Sequence, residues 1–207
     1  MHATVAEPDQ AMRQYFEELY AQGPDPYGLG VRWYEQRKIS MLLASLPHQH
    51  YPRVLEPACG VGELTRQLAP RCAHLLAFDF DDCAVRQTRS RVRELPQVQV
   101  RRLALPQEFP HDEGPFDLIV LSEIGYFLQA AELSALANVC RESLTPDGCL
   151  VACHWLGDFD QRTLSSPFVH AQLGASLAPV ASCTDVDFLL DVWCRRRFSV
   201  ASAEGIT

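Results

Sequence analysis

The stretch Val54 to Thr65, Val-Leu-Glu-Pro-Ala-Cys-Gly-Val-Gly-Glu-Leu-Thr, constrains the fold more than any other part of the chain. A short apolar run ends at Glu56, a glycine-containing turn follows, and Leu64 and Leu68 open a helical pattern. Gly60 and Gly62 let the backbone turn tightly and approach a ligand closely. A second acidic residue, Asp79, closes the next apolar run, Ala73 to Phe78, 23 residues after Glu56. Strand, glycine turn, helix, strand and carboxylate in this order describe a nucleotide-binding unit of an open α/β sheet, where ligands sit beyond the carboxyl ends of the strands.

From Arg53 the pattern alternates, with strands at 53–57, 73–79, 98–103, 116–122 and 148–155 and helices at 62–69, 82–95 and 130–144. Such alternation implies right-handed crossovers and a Rossmann-like, mostly parallel sheet covered by helices on both faces. Phe116-Asp-Leu-Ile-Val-Leu-Ser is nearly unbroken in apolar character, as expected for a central strand buried on both sides. The proline-rich segment between Leu103 and Phe116 reads as a surface crossing with at most one short turn of helix. After the fifth strand a helix is expected over Pro167 to Leu177, followed by strand-like runs at 179–184 and 187–195. These runs lie too close together around Asp185 for a crossover, so they form an antiparallel hairpin at one edge. Seven strands result, the last antiparallel.

Ahead of the first strand, Pro8 to Gln22 carries Met12, Tyr15, Phe16 and Leu19 at helical spacing, with Asp9 in the first turn. A turn-rich link then leads to a second helix, Arg32 to Leu46, marked by Trp33, Ile39, Leu42 and Leu43. Ser199 to Thr207 reads as a loose polar tail. The 207 residues are therefore read as one domain: N-terminal helices (8–46), a ligand-binding core (53–155), and a C-terminal helix and hairpin (165–195).

A net charge of −8 argues against a nucleic-acid partner, which needs a basic surface to release counterions. The first ten residues hold no positive segment followed by an apolar core, and nowhere do about 18 apolar residues run together. A cytoplasmic protein without a membrane partner is expected, as a monomer or homodimer. The eight cysteines form no Cys-x-x-Cys pair and fall mostly inside expected strands and helices, so they read as reduced core thiols. Cys59 stands apart because it lies in the glycine turn. No cluster of Asp, His and Asn at the strand ends matches a magnesium site, and no metal is expected.

Two adenosine-containing cofactors suit the crevice, and the loop chemistry separates them. A dinucleotide site prefers Gly-x-Gly-x-x-Gly, with a helix N-terminus presented to pyrophosphate. Here Thr65 takes the third glycine position, and Glu56 would face the phosphates, which a carboxylate repels. The same carboxylate suits a cofactor that carries an amine and no phosphate, with Asp79 accepting hydrogen bonds from ribose hydroxyls.

Glu56-x-Ala58-x-Gly60-x-Gly62, Asp79, and Phe116-Asp-Leu-Ile-Val-Leu-Ser-Glu together resemble the class I S-adenosylmethionine-dependent methyltransferases. Within them the chain is similar to the small N-methyltransferases of the nodulation protein S type, which act on a de-N-acetylated chitooligosaccharide. Asp25-Pro-Tyr, Trp33-Tyr-Glu-Gln-Arg-Lys, Ser122-Glu-Ile-Gly-Tyr-Phe-Leu, His154-Trp155 and Phe188-Leu-Leu-Asp-Val-Trp carry that likeness, over about residues 15 to 195. The resemblance implies S-adenosylmethionine as cofactor and S-adenosylhomocysteine as product. It places Glu56 and the Ala58–Gly60–Gly62 loop at the amino-acid end, Asp79 at the ribose, Phe80 and Leu105 at the adenine faces, and Ser122 and Glu123 near the sulfonium. Trp33, Tyr34 and Arg37 would close over the cofactor as a lid, Arg37 meeting its carboxylate.

Two departures stand out. Ala58 replaces the first glycine of the usual loop, and Ala104-Leu105 replaces the familiar acidic residue after the third strand. Gly125 suggests a wider acceptor pocket. For the chemistry, Glu123, Tyr126 and His154 lie where an acceptor amine would enter, and His170 would form part of the wall. The favoured reading is an N-methyltransferase for a small molecule. The alternatives are a small-molecule O-methyltransferase for a phenol or acid, a catalytically weak S-adenosylmethionine-binding protein, and, third, a dinucleotide oxidoreductase.

Overall fold

The computed structural model describes residues 10–206. Pro8 and Asp9, at the start of the expected first helix, lie outside them. Helix α1 runs Gln10–Ala21, α2 Trp33–Ser45, strand β1 Tyr51–Pro57, α3 Glu63–Leu68, β2 Cys72–Asp79, α4 Asp82–Arg91 and β3 Val98–Arg102. They are followed by β4 Phe116–Ser122, α5 Ala130–Ser143, β5 Leu144–Trp155, α6 Ser166–Gly174, β6 Ala178–Thr184, β7 Phe188–Cys194 and α7 Val200–Ala203. One sheet of seven strands has the order β3-β2-β1-β4-β5-β7-β6. Neighbours from β3 to β5 pair in parallel, and β7 runs antiparallel to both β5 and β6. The expected Rossmann-like fold is present, and strand order reverses between β1 and β4.

Side chains that alternate along the central strands divide between two cores. Leu118 and Val120 join Val54, Val151 and Val192 on the face covered by α2 and α3, where Ile39, Leu42, Leu64 and Leu68 pack. Ile119 and Leu121 join Leu55, Leu150 and Ala152 on the other face, under Leu133 and Leu136 of α5 and Val169 and Leu173 of α6. The unbroken apolar run of β4 thus serves two cores at once. Helix α1 packs Phe16 and Tyr20 against Val61 and Ala84, bringing it over the glycine turn and the start of α4.

The edges of several elements differ from the expectation. Strand β5 begins at Leu144, immediately after α5, because Phe116 pairs with Leu144 before the register shifts. The crossing from 104 to 115 agrees with the expectation, with one short 3-10 turn at His111–Glu113. The tail is not loose throughout: Val200–Ala203 is helical, and the Ser199 hydroxyl accepts the Ser202 N–H at 3.3 Å.

The reading of all eight cysteines as free thiols needs correction. Cys149 of β5 and Cys194 of β7 form a disulfide, their Cα atoms 4.0 Å apart. They stand directly opposite in the antiparallel register, and Arg195 N–H bonds Gly148 C=O beside them. That makes them a close pair between ladder bonds, where side chains approach most nearly. Their sequence separation of 45 hides this, because only the register brings them together. Cys59 is buried, and burial together with nearby Asp79 and Glu56 pushes its thiol well above the ordinary range, which removes it as a nucleophile.

Candidate active site

The carboxyl ends of β1, β2, β4 and β5 lie side by side, at the end of the sheet where the crevice is expected. Register fixes their relative height: Pro57 stands beside Phe78, and Ser122 beside Cys153. The turn after β1 is tied to β2 by Cys59 N–H donating to Phe78 C=O at 3.0 Å. Asp79 completes the tie, one carboxylate oxygen accepting Gly60 N–H at 2.9 Å and the other Asp81 N–H at 3.0 Å. Asp81 in turn caps α4 by accepting the Cys83 and Ala84 N–H groups. Asp79 is therefore rigidly aimed, and each of its oxygens retains a lone pair for a ligand hydroxyl. Burial raises its carboxyl to about 6.

The turn adopts left-handed backbone at Ala58 (φ 53°), Gly60 (φ 55°) and Gly62 (φ 77°). Alanine is accommodated in the first of these at the cost of strain, about 1 kcal/mol for a residue with a Cβ. Gly62 has no such latitude, since a Cβ there would lie 2.7 Å from Thr88 Cγ2 and 3.0 Å from Thr88 Cα. Beneath the turn lies Glu56, 3% exposed, with one carboxylate oxygen lacking any hydrogen-bond partner. Burial raises its carboxyl to about 8, and the neighbouring Thr65 hydroxyl, itself without a well-formed hydrogen bond, offsets little of this. A buried, unpartnered carboxyl at the foot of a ligand loop is suited to a cationic amine.

Above the crevice, Phe80 is covered by Phe16 of α1, with ring centres 5.6 Å apart, and by the Arg13 guanidinium. Leu105 packs on the α5 side of the sheet, and Ser122 ends β4 half-buried. Tyr34 of α2 packs edge-on against Phe188, and its phenol oxygen is buried without a partner. Two other lid residues depart from the expectation. Trp33 is 76% exposed. Arg37 donates to Asp185 in the β6–β7 turn at 2.6 Å and lies over the Phe188 ring, so this chain supplies the carboxylate assigned to the cofactor.

On the acceptor side, Glu123 follows β4 in left-handed backbone (φ 57°), held by its N–H donating to Cys153 C=O at 2.9 Å. One carboxylate oxygen accepts from Lys38 Nζ at 2.5 Å; the other accepts from the Tyr126 hydroxyl and from Trp155 N–H at 3.0 Å. Burial and Glu123 together raise the Tyr126 phenol, which is a donor here rather than a base. Lys38 was not among the residues singled out from sequence. The available signal was its place on the apolar stripe of α2, four residues after Tyr34 and four before Leu42.

His154 does not line the crevice. It is fully buried; its Nε2 accepts Gly125 N–H at 3.0 Å, and its Nδ1 meets His170 Nε2 at 3.0 Å. His170 Nδ1 meets Asp191 Oδ2 at 2.6 Å. The Gly125 donor sets the proton order along this chain: His154 donates from Nδ1 to His170, which donates from Nδ1 to Asp191. Burial, His170 and Lys38 hold the His154 imidazole well below its ordinary value, so it remains neutral. A structural tether replaces the expected acid or base. Gly125 does not widen a pocket either, because a Cβ there would lie 2.4 Å from Val169 Cγ1 and 3.1 Å from His154 Nε2. Among the described residues no group of His, Cys, Asp and Glu could hold a metal ion, and no helix is long and apolar enough to cross a membrane.

Comparison with known proteins gives this geometry a family. A methyltransferase-domain model matches residues 54–148, the span from the glycine turn into β5. A Pseudomonas syringae protein assigned as a methyltransferase has 42% sequence identity and a TM-score of 0.70, covering 79% of this chain and all of that one (100%). The chain belongs to the methyltransferases. Nodulation protein S of Sinorhizobium fredii is 33% identical over 135 residues, 61% of this chain and 59% of that protein. The match with the Rhizobium tropici protein is 35% over 130 residues and takes in 53% of its length, so the chain spans less than two thirds of these curated relatives. The fold is shared with the Bradyrhizobium japonicum N-methyltransferase nodulation protein S, solved with S-adenosylhomocysteine: TM-score 0.79 at 24% identity, covering 89% of this chain and 98% of that one.

Proposed function

We propose that this chain transfers a methyl group from S-adenosylmethionine to the nitrogen of a small amine-bearing acceptor. The observation that carries the cofactor half is Glu56, a buried carboxyl with an unpartnered oxygen under a left-handed glycine turn. Its partner in this reading is the α-ammonium of the cofactor. Gly60, Gly62 and Ala58 bring backbone close to the same end. Asp79, fixed from two sides, accepts the ribose hydroxyls with its remaining lone pairs. Phe80 and Leu105 bound the adenine, and Ser122 lies towards the sulfonium. Tyr34, with its buried and unpartnered phenol, reaches the bound cofactor from α2, and helices α1 and α2 act as its lid within a single domain.

When bound, S-adenosylmethionine supplies an electrophilic methyl group on a sulfonium. The chain's own contribution is to hold the acceptor in line and to exclude water, which can supply much of the rate. Glu123, 27% exposed at its side chain, carries one lone pair not used by Lys38, Tyr126 or Trp155. That lone pair orients an acceptor N–H. Tyr126 positions the carboxylate from below, and His154 holds the Gly125 turn that carries both residues.

The likeness to nodulation protein S supports nitrogen as the receiving atom, and the paired Lys38–Glu123 charges favour an uncharged nucleophile over a phenolate. The test is calorimetric binding of S-adenosylhomocysteine, followed by methyl transfer from labelled S-adenosylmethionine to a panel of amino sugars, small primary amines and phenols. Turnover of amines supports the reading. Turnover of phenols alone assigns oxygen instead, and failure to bind S-adenosylhomocysteine removes the cofactor assignment.

A further inference from the structure

Lys38 is the one lysine in the chain and is 5% exposed, on the face of α2 that looks into the acceptor side. Burying an ammonium costs several kcal/mol unless it is paired and hydrogen-bonded. Here Nζ lies 2.5 Å from Glu123 and 2.9 Å from Glu35, with the Tyr34 ring centre at 4.9 Å. Burial works against the charged form, and the two carboxylates outweigh it, so Lys38 stays an ammonium. Glu35 sits in the first turn of α2, where the helix dipole also offsets its charge. Of the three, Glu123 has the most exposed side chain (27%, against 6% for Lys38 and 12% for Glu35) and is the member an incoming molecule meets.

We propose that Lys38 is a positioning residue of the acceptor site: it fixes Glu123 and compensates its charge, so that an acceptor amine is taken up in its neutral, nucleophilic form. This role rests on the amine-methylating reading above. An uncompensated carboxylate would prefer the ammonium form of the acceptor, which has no lone pair to attack a methyl group. With the Lys38 ammonium against one oxygen of Glu123, the remaining lone pair can accept an N–H without rewarding a second positive charge.

The surrounding groups leave this pair as the controlling charge. Tyr34 from α2, Tyr27 from the link between α1 and α2, and Tyr126 have phenols raised by burial. The Cys153 thiol of β5 is raised and His154 is lowered, both by burial first, so neither changes charge across the neutral range. Among the described residues Glu35 is the only other carboxylate in contact with Lys38, and Trp155 contributes its N–H to Glu123.

The test is the pH profile of kcat at saturating amine, which reports ionisation in the enzyme–substrate complex, with D-glucosamine as the probe and the accepted member of the primary-amine panel beside it, in the full chain and its Lys38→Met, Lys38→Arg and Lys38→Met/Glu123→Gln variants. Lys38→Met is expected to move the acidic limb up by about one pH unit, a roughly tenfold loss near neutrality that recovers in alkali. Lys38→Arg is expected to keep the limb in place. The double variant returns the limb to the wild-type position at a lower plateau, because Glu35 alone leaves the same single net negative charge that the Glu35–Lys38–Glu123 cluster carries. S-adenosylhomocysteine affinity, measured in parallel, is expected to stay within about threefold, a shift well below 1 kcal/mol. Amine turnover with an unmoved limb in Lys38→Met, or an equal loss at every pH, would overturn the role while leaving the amine reading intact. Turnover of hydroxyl acceptors alone would overturn both.

Discussion

Glu56 offers a prediction whose size can be worked from its surroundings. Buried beneath the glycine turn with one oxygen unpartnered, its carboxyl is raised to about 8 and holds a proton at neutral pH. At pH 7 roughly nine-tenths of the ligand-free protein is protonated there. Binding an ammonium at that carboxyl requires the carboxylate, so S-adenosylhomocysteine binding should release about 0.9 proton at pH 7. Affinity should rise as pH increases from 6 to 8. Calorimetry in two buffers of different ionisation enthalpy counts the protons directly. Glu56→Gln should abolish the release and weaken binding by about 100-fold, the loss expected for a buried charge-assisted hydrogen bond. Stability without ligand should show the converse. The folded value lies above the ordinary 4.5, so the contribution is complete below that pH and is lost as pH rises through about 8. The upper bound on that loss is on the order of 5 kcal/mol. Asp79 acts with the same sign over a lower window, from 3.8 to about 6. Binding without proton release at pH 7, or the same release from Glu56→Gln, would refute the reasoning.

The other predictions concern the turn, the acceptor side and the sheet edge. Ala58→Gly removes the Cβ from a left-handed position and should raise the unfolding free energy by about 0.5–1 kcal/mol in denaturant titration, with S-adenosylhomocysteine binding at least as tight. Gly125→Ala forces a Cβ against Val169 and His154 and should cost about 1–3 kcal/mol, lowering activity on all acceptors together rather than on the bulkiest alone. Glu123→Gln should lower turnover more than cofactor affinity; equal turnover with any genuine acceptor would remove Glu123 from the mechanism. Replacing Cys149 and Cys194 together by alanine opens a cross-link over a separation of 45 residues. The expected loss is about 4 kcal/mol by chain entropy, read as a lower denaturant midpoint, with the intact bond visible by mass spectrometry of non-reduced protein.

The cofactor half of the site was largely legible in the sequence because its residues are local to strand ends. Glu56, Gly60, Gly62 and Asp79 each terminate or follow an apolar run, and a parallel sheet necessarily brings such ends together. Ala58 was visible as a departure, and its backbone conformation explains how the loop keeps its shape. The acceptor half depends on contacts between distant segments and was read less well. Lys38 looked like one more polar residue on a helix until Glu123, 85 positions later, was brought against it. His154 reads as a crevice residue by position along β5, yet alternation turns it inward to His170. Arg37 meets Asp185 only because the hairpin turn folds back towards α2. The disulfide required an antiparallel register that spacing alone does not encode.

The most direct test of the central claim is transfer of an isotopically labelled methyl group from S-adenosylmethionine to a primary amine, with the modified atom located by mass spectrometric fragmentation. Label is expected on the acceptor nitrogen, placed there by the wild-type chain and lost in Glu56→Gln at sub-saturating cofactor. Label found only on hydroxyl oxygen, or tight S-adenosylhomocysteine binding with no transfer to any amine, would contradict that claim.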